Sequence, residues 1–295
     1  MSIALVLLPE FLLIAVGVLL ARLRPFGSGF WGGTERLVYF VLFPALLFRS
    51  LANGAGAIGS ALPFVSTAVA FTLAGIALSL LGRFVPRLPE GDFAACFQCG
   101  FRFNTYLALA IAERLQGAQG LAAITLLVGV LVPVVNVAAV SMLAREGRMR
   151  VLPALARNPL VIACVGGLAW AAAGWHLPDV ADRVLANLGG ASLALGLLTV
   201  GAALRLEGGL PVSAIAYWTG LKLIALPACA LAAGRAFGLP EPLLQVAVIL
   251  AAVPTAPSAY VLAEQMTGRG RPVAALVTTG TLLATVTLPL WLAAL

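Results

Sequence analysis

Apolar stretches of about 20 residues recur along the whole chain and limit the folds that it can adopt more than any other feature. Hydrophobic residues make up 62% of the 295 residues and charged residues only 10%, whereas soluble domains carry about 25% charged residues. A helix of about 20 apolar residues crosses a hydrocarbon layer of about 30 Å. The sequence therefore predicts an all-α membrane protein with several membrane-crossing helices.

Hydropathy predicts ten such helices, numbered here as spans 1 to 10. Arg22 and Arg24 follow the first apolar run, whereas a secretory signal has its basic residues before that run, so span 1 is expected to be retained. Short segments with glycine and proline separate the spans. The spans cover residues 3–21, 35–53, 61–82, 92–115, 119–144, 159–175, 182–204, 211–233, 241–266 and 271–293.

The basic residues of the loops predict the orientation of the chain. Twelve arginines flank the odd-numbered loops and four flank the even-numbered loops. Because cytoplasmic loops carry more Lys and Arg, the odd loops are expected in the cytoplasm and both termini outside. The basic fifth loop, Arg145 to Arg157, supports this orientation most strongly.

The two halves of the chain, residues 1–150 and 151–295, resemble each other. Pro9 precedes Gly17 by eight residues in span 1, and Pro159 precedes Gly167 by the same eight in span 6. Each half has five predicted spans, an odd number, so the second half enters the membrane from the opposite side. The sequence thus predicts two inverted five-helix repeats, an architecture common among secondary transporters.

Spans 4 and 9 contain residues that interrupt a helix near its middle. In span 4, Gly100 weakens the helix and Asn104 is a good cap for a new one. In span 9, Pro254 and Pro257 remove two backbone donors. A single proline kink is the alternative for span 9, but a matching polar break in span 4 favours a pair of broken helices that cross near the bilayer midplane.

Two basic residues lie deep in predicted spans, where a charge costs about 2.5 to 3.5 kcal/mol. They are Arg102 in span 4 and Lys222, the chain's single lysine, in span 8. Each is a candidate substrate contact. Alternatively, Arg102 satisfies carbonyls freed by the break, and Lys222 snorkels, pairs internally, or occupies a place that a cation takes in related designs.

The half-helices after the two breaks present free N–H groups and positive dipole ends to one small volume. Arg102 and Lys222 add positive charge there, and no carboxylate is predicted at that depth. This predicts a site for an anion such as a carboxylate. A weak cation site at Asn136 and the threonines of span 10 is a second hypothesis, although packed hydroxyls on a helix interface are the favoured interpretation of these threonines.

Other function classes lack the residues that they need. The sequence shows no catalytic Ser/His/Asp set, acidic pair or phosphate-binding loop, so no enzyme is expected. The single histidine, His176, is predicted at the surface, and Cys96 and Cys99 are interpreted as small core residues without metal or cofactor. The basic residues are dispersed through the loops, which argues against a nucleic-acid partner.

Several local motifs together carry a family resemblance. They are Arg102 to Tyr106 followed by Gly117, Pro133 to Asn136, Asn158-Pro159, Lys222 followed by Pro227, and Pro254 to Pro257 with Tyr260. With these motifs the chain resembles bacterial members of the auxin efflux carrier family, which are related in fold to PIN-FORMED auxin exporters and bile acid symporters.

The resemblance implies an elevator-type carrier. Residues 1–53 and 159–205 would form a scaffold and a homodimer interface, while residues 61–144 and 211–293 would form the transport domain. It also implies organic-anion substrates such as malate, malonate or an auxin-like acid, held near Asn104. A proline of the plant span 4 break is absent here, and the fifth loop is short, so substrate identity does not carry over.

The sequence therefore predicts a secondary transporter of a small organic anion in a bacterial inner membrane. An anion channel or a ligand-sensing receptor with the same site is the alternative. The residues do not distinguish H⁺ from Na⁺ as a coupling ion. The predicted substrate-binding residues are Arg102, Asn104, Thr105, Tyr106, Asn136, Lys222, Pro254, Thr255, Pro257 and Ser258.

Overall fold

The computed structural model describes residues 3–54, 61–86, 88–144, 159–204 and 210–295. Regular secondary structure in these ranges is helical, and they contain no strand, which confirms the all-α fold class for the described part of the chain. The predicted fifth loop, Arg145 to Arg157, lies outside the described residues, as do Arg87, Asn158 and Arg205.

The described helices are numbered α1 to α11 in chain order. They are Ile3–Leu20 (α1), 28–54 (α2), Ala61–Leu81 (α3), Glu90–Phe97 (α4), Thr105–Leu143 (α5), Pro159–Ala172 (α6), Asp179–Ala203 (α7), Val212–Ala236 (α8), Glu241–Ala252 (α9), Ser258–Thr267 (α10) and Gly270–Ala293 (α11).

Two of these helices contain a π-helical turn, where one extra residue is accommodated between helical hydrogen bonds. The turns are Val38–Leu42 in α2 and Leu221–Ala225 in α8. Such turns are rare and are often found at functional sites. The turn in α8 contains Lys222. The single lysine of the sequence therefore lies where the backbone of this helix is irregular.

Five described helical stretches are long and apolar enough to cross a membrane, by length and composition. Shorter apolar helices at Leu5–Leu20, Pro159–Ala172 and Glu241–Ala252 accompany them. The five stretches are Leu62–Phe84, Glu90–Leu143, Asp179–Ala203, Val212–Ala236 and Gly270–Ala293.

Helix α5 contains a sharp bend where the sequence predicts the connection between spans 4 and 5. Gly117 has a φ of 61°, in the left-handed region that favours glycine because a Cβ would be strained there. The predicted spans, 92–115 and 119–144, end and begin on either side of this residue. Gly117 therefore separates two helices that follow each other without a loop.

The described chain divides into two compact units. The first comprises Met1–Ala61, Tyr106–Val130 and Leu152–Ala203. In it α1 packs against α7, and α2 packs against α6. Glycines permit close approach at both contacts, since a Cβ on Gly17 would overlap the Leu198 carbonyl and a Cβ on Gly167 would lie 2.7 Å from the Phe48 carbonyl oxygen.

Ion pairs connect helices within this first unit. Arg49 of α2 forms two parallel hydrogen bonds of 2.9 Å to the Asp182 carboxylate of α7. Arg114 of α5 donates from Nε to Glu10 of α1 at 3.0 Å. Glu10 is only 4% exposed, so its charge is compensated by this arginine. Polar contacts thus supplement the glycine-mediated packing of the apolar helices.

The second unit comprises Leu62–Thr105, Leu131–Val151 and Leu204–Leu295. It contains both interruptions that the sequence predicts. Residues 106–130, which the sequence assigns to the transport domain, belong to the first unit. The assignment of scaffold and transport domain stays a prediction.

Candidate functional site

The first break follows α4. The helix ends in a 3₁₀ turn at Gln98–Gly100, residues 101–104 are not helical, and α5 begins at Thr105. The Gln98 carbonyl accepts hydrogen bonds from the backbone N–H groups of Phe101 and Arg102, at 3.4 and 3.0 Å. A Cβ on Gly100 would overlap the Ser79 hydroxyl, so only glycine allows this approach. The predicted interruption of span 4 is confirmed.

The second break separates α9 from α10. Helix α9 ends at Ala252, Val253 is extended with a ψ of 147°, and α10 begins at Ser258 with Pro257 as its cap. Pro254 has no N–H to continue the helical hydrogen bonds of α9. Both prolines therefore act where the sequence predicts, and the interruption of span 9 is confirmed.

Three hydrogen bonds join the two breaks to each other inside the second unit. The Asn104 backbone N–H donates to the Pro254 carbonyl at 2.8 Å. The Thr255 hydroxyl donates to the Cys99 carbonyl at 2.7 Å, and Gln98 Nε2 donates to the Ala259 carbonyl at 3.1 Å. Because backbone groups freed by one break are satisfied by the other, the breaks support each other.

Arg102 lies beside the start of α10. Its guanidinium donates to Gln98 Oε1 at 3.3 Å and to the Ser258 hydroxyl at 3.2 Å. The side chain is half-buried, and Ser258 is exposed. A planar guanidinium fixed next to a helix amino end presents N–H donors in the geometry that carboxylates accept. The arrangement is suited to an anion.

Lys222 is more deeply enclosed than Arg102. It is 2% exposed, and Nζ donates to the Ala251 carbonyl at 2.5 Å. Beside it is a cavity of about 10 Å³, which has room for about one water molecule. Thr255, a predicted substrate contact, lines this cavity together with Cys99, Trp218, Thr219, Lys222, Leu276 and Gly280.

The remaining predicted residues, Thr105, Tyr106 and Asn136, do not all lie at the breaks. Thr105 opens α5, next to Asn104. Tyr106 belongs to the first unit, where its ring lies 4.9 Å from the Phe43 ring and covers Gly196. Asn136 is half-buried in α5 and makes no hydrogen bond to the other described site residues. The structure thus brings Arg102, Asn104, Pro254, Thr255 and Ser258 into one contact region.

Two further residues belong to this region and are absent from the predicted set. Gln98 is fully buried and connects Arg102 to α10 through both ends of its amide. Trp218 lines the Lys222 cavity, and among the described residues its Nε1 has no hydrogen-bond partner. A glutamine four residues before an arginine, in an otherwise apolar span, was the available sequence signal for Gln98.

The charge at the contact region is positive. The described acidic residues of the second unit lie at or near the outer ends of α4, α9 and α10, away from both breaks; they are Glu90, Asp92, Glu241 and Glu264. Four threonines of span 10, Thr278, Thr279, Thr281 and Thr285, were open to two interpretations. Of these, Thr281 and Thr285 donate to carbonyls of their own helix, those of Val277 and Leu282. These two hydroxyls are therefore already used within α11.

A comparison of the sequence with protein families identifies a known family. The profile of the membrane transport protein family matches residues 142–292, a segment that includes the second break, Lys222 and α8 to α11. The chain belongs to this family. The auxin efflux carriers are the members that the sequence motifs resemble, and family membership together with the apolar helices makes the chain a multi-pass membrane transporter. No curated protein matches it.

Proposed function

We propose that this membrane transporter is an alternating-access carrier of a small organic anion, with a carboxylate bound where the two breaks meet. The observation that carries the proposal is the Arg102 guanidinium fixed at the amino end of α10, in a region whose described acidic residues lie elsewhere. Two half-helix amino ends, those of α5 and α10, add positive partial charge to the same region. Asn104 and Ser258 supply polar groups for orientation.

Contacts at matching positions of the two halves support the inverted repeat in this proposal. Gly17 packs on Leu198, and Gly167, 150 residues after Gly17, packs on Phe48, which is 150 residues before Leu198. Asn104 donates to Pro254, also 150 residues later. Contacts between such equivalent positions are expected when two repeats are related by a pseudo-two-fold axis.

The finer parts of the proposal follow the family resemblance. The substrate would be a carboxylate such as malate, malonate or an auxin-like acid, moved by an elevator-type motion in a bacterial inner membrane with periplasmic termini. A homodimer would form through the predicted scaffold. An anion channel or a receptor is the second candidate, because a positive site at a helix crossing also suits those proteins.

A thermal-shift screen of organic acids on purified protein tests the proposal. An acid at 100 times its Kd is expected to stabilise the wild type by about 2.7 kcal/mol, because it binds only the folded state. Asn104→Ala is expected to reduce this shift, since it removes the side chain and keeps the backbone bond to Pro254.

Asn187→Ala is the matched control, because Asn187 is an exposed asparagine on α7 in the other unit. Its shift is expected to equal that of the wild type. Stabilisation by organic cations but by no organic anion would contradict the proposal.

A further inference from the structure

Four helix ends meet at the two breaks, and they differ in sign. The amino ends of α5 and α10 carry positive partial charge, whereas the carboxyl ends of α4 and α9 carry negative partial charge. After α4, the Gln98 carbonyl accepts from the Arg102 N–H and the Cys99 carbonyl accepts from the Thr255 hydroxyl. A favourable anion site therefore requires above all that the negative end of α9 be neutralised.

This negative end is buried, so bulk water does not satisfy its carbonyl groups as it does at an exposed helix terminus. The last helical hydrogen bond of α9 runs from Val253 N–H to the Ile249 carbonyl, at 3.0 Å. Pro254 then offers no N–H to the Leu250 carbonyl, and Val253 turns the chain to an extended conformation. The carbonyls that follow Ile249 lose their helical donors while they are fully buried.

Lys222 occupies this end of α9. The π-helical turn of α8 holds it there, and its ammonium donates to the Ala251 carbonyl. Trp291 donates from Nε1 to the Leu223 carbonyl of the same turn at 2.8 Å, so the irregular backbone around Lys222 is fixed from a second side. In the described part of the chain no carboxylate pairs with Lys222.

The surroundings of Lys222 are too small for an organic acid. The adjacent cavity of about 10 Å³ holds about one water molecule, whereas even oxalate, the smallest dicarboxylate, has about six heavy atoms. The Lys222 ammonium therefore acts on the backbone of α9 at the break, through the Ala251 carbonyl, rather than on a bound ligand.

We propose that Lys222 is a positioning residue that neutralises the carboxyl end of α9 and so raises the affinity of the neighbouring site for anions, without contacting the anion itself. This inference rests on the proposed function. It assigns the single lysine a role different from that of Arg102, which offers its guanidinium directly at the start of α10.

Isothermal titration of malonate, malonamate and indole-3-acetate into purified variants tests this assignment. Lys222→Met removes the charge and the donor, and Lys222→Gln removes the charge but retains an N–H for the Ala251 carbonyl. Every probe that binds the wild type is expected to bind about tenfold more weakly to both variants, since the negative end of α9 then repels the anion without compensation.

The number of carboxylates on the probe separates a positioning role from direct contact. A positioning residue weakens both malonate, which has two carboxylates, and malonamate, which has one, with the larger effect on the doubly charged malonate because the electrostatic interaction grows with charge. Weakening of malonate alone would show that Lys222 touches the second carboxylate and would overturn the inference. Unchanged affinity in both variants would overturn it as well, while leaving the proposed function intact.

Arg235→Gln is the control for the loss of a positive charge from α8, because Arg235 is exposed in the last turn of the same helix, away from the π-helical turn. Its probe affinities are expected to match those of the wild type. If Lys222→Met does not yield folded protein, the test is made with Lys222→Gln alone. If the wild-type protein binds no acid in the thermal-shift screen, that result contradicts both the proposed function and this inference.

Discussion

Replacing Arg102 by glutamine is expected to weaken the binding of organic anions by about 10- to 100-fold. A hydrogen bond to a charged group contributes about 1.5 to 3 kcal/mol, and each 1.4 kcal/mol corresponds to a tenfold change in Kd. Glutamine keeps polarity and much of the length but has neither the charge nor the planar set of five donors. Titration of the best-binding acid from the thermal-shift screen measures the change.

Arg269→Gln is the matched control for this substitution. Arg269 lies in the same unit, but it pairs with Asp92 at 2.9 Å at the outer end of α4. Its removal is expected to leave anion affinity unchanged. Arg102→Gln protein that binds acids as tightly as the wild type, and unfolds at a lower temperature without ligand, would assign Arg102 the structural role of holding Gln98 and Ser258.

Gly201→Ala is expected to produce the largest loss of stability in the first unit. A Cβ at this position of α7 would overlap the backbone carbonyl oxygen of Ile14 in α1, and a backbone atom cannot move aside as a flexible side chain can. Overpacking of this kind typically costs about 1 to 3 kcal/mol. Because small residues allow membrane helices to approach closely, the thermal unfolding temperature and the yield of folded protein should both fall.

The same helix offers a control for that substitution. Gly190 also lies in α7, and a Cβ there would meet no atom within 4 Å. Gly190→Ala is expected to be neutral or to stabilise the helix by up to about 1 kcal/mol, since alanine has the higher helix propensity. Equal unfolding temperatures for the two variants would show that α1 and α7 do not pack as described.

The two breaks were predictable because local chemistry causes them. Proline at 254 cannot donate a hydrogen bond, and glycine at 100 weakens a helix through its own backbone freedom. Such effects act within a few residues and need no tertiary information. The sequence also indicated a connection between residues 115 and 119, where Gly117 bends the chain, and the exposed position of His176.

The partners that complete the site were not predictable in the same way. Lys222 and Ala251 are 29 residues apart, and Gln98 and Ala259 are 161 apart, so no helical period connects them. The π-helical turn that orients Lys222 has no marked sequence signal, since Leu221–Ala225 is apolar except for the lysine itself. These contacts are created by the packing of α4, α8, α9 and α10.

The motif from Arg102 to Tyr106 is divided between the two compact units, and Tyr106 belongs to the first. It follows Asn104 by two residues and belongs to the motif that carries the family resemblance. Its ring, however, packs on Phe43 and Gly196 of the first unit, because the chain passes from the second unit to the first at Thr105–Tyr106. Proximity in sequence to a site residue therefore did not specify its packing.

Counterflow in proteoliposomes tests the central claim most directly. Vesicles with purified protein are loaded with an unlabelled acid that the protein binds, and the uptake of the same acid in labelled form is measured. A carrier that alternates between two sides is expected to take up label faster and to a transient excess when the inside is loaded. Uptake that is equal with and without internal acid, together with sustained unitary currents, would contradict the account and identify a channel.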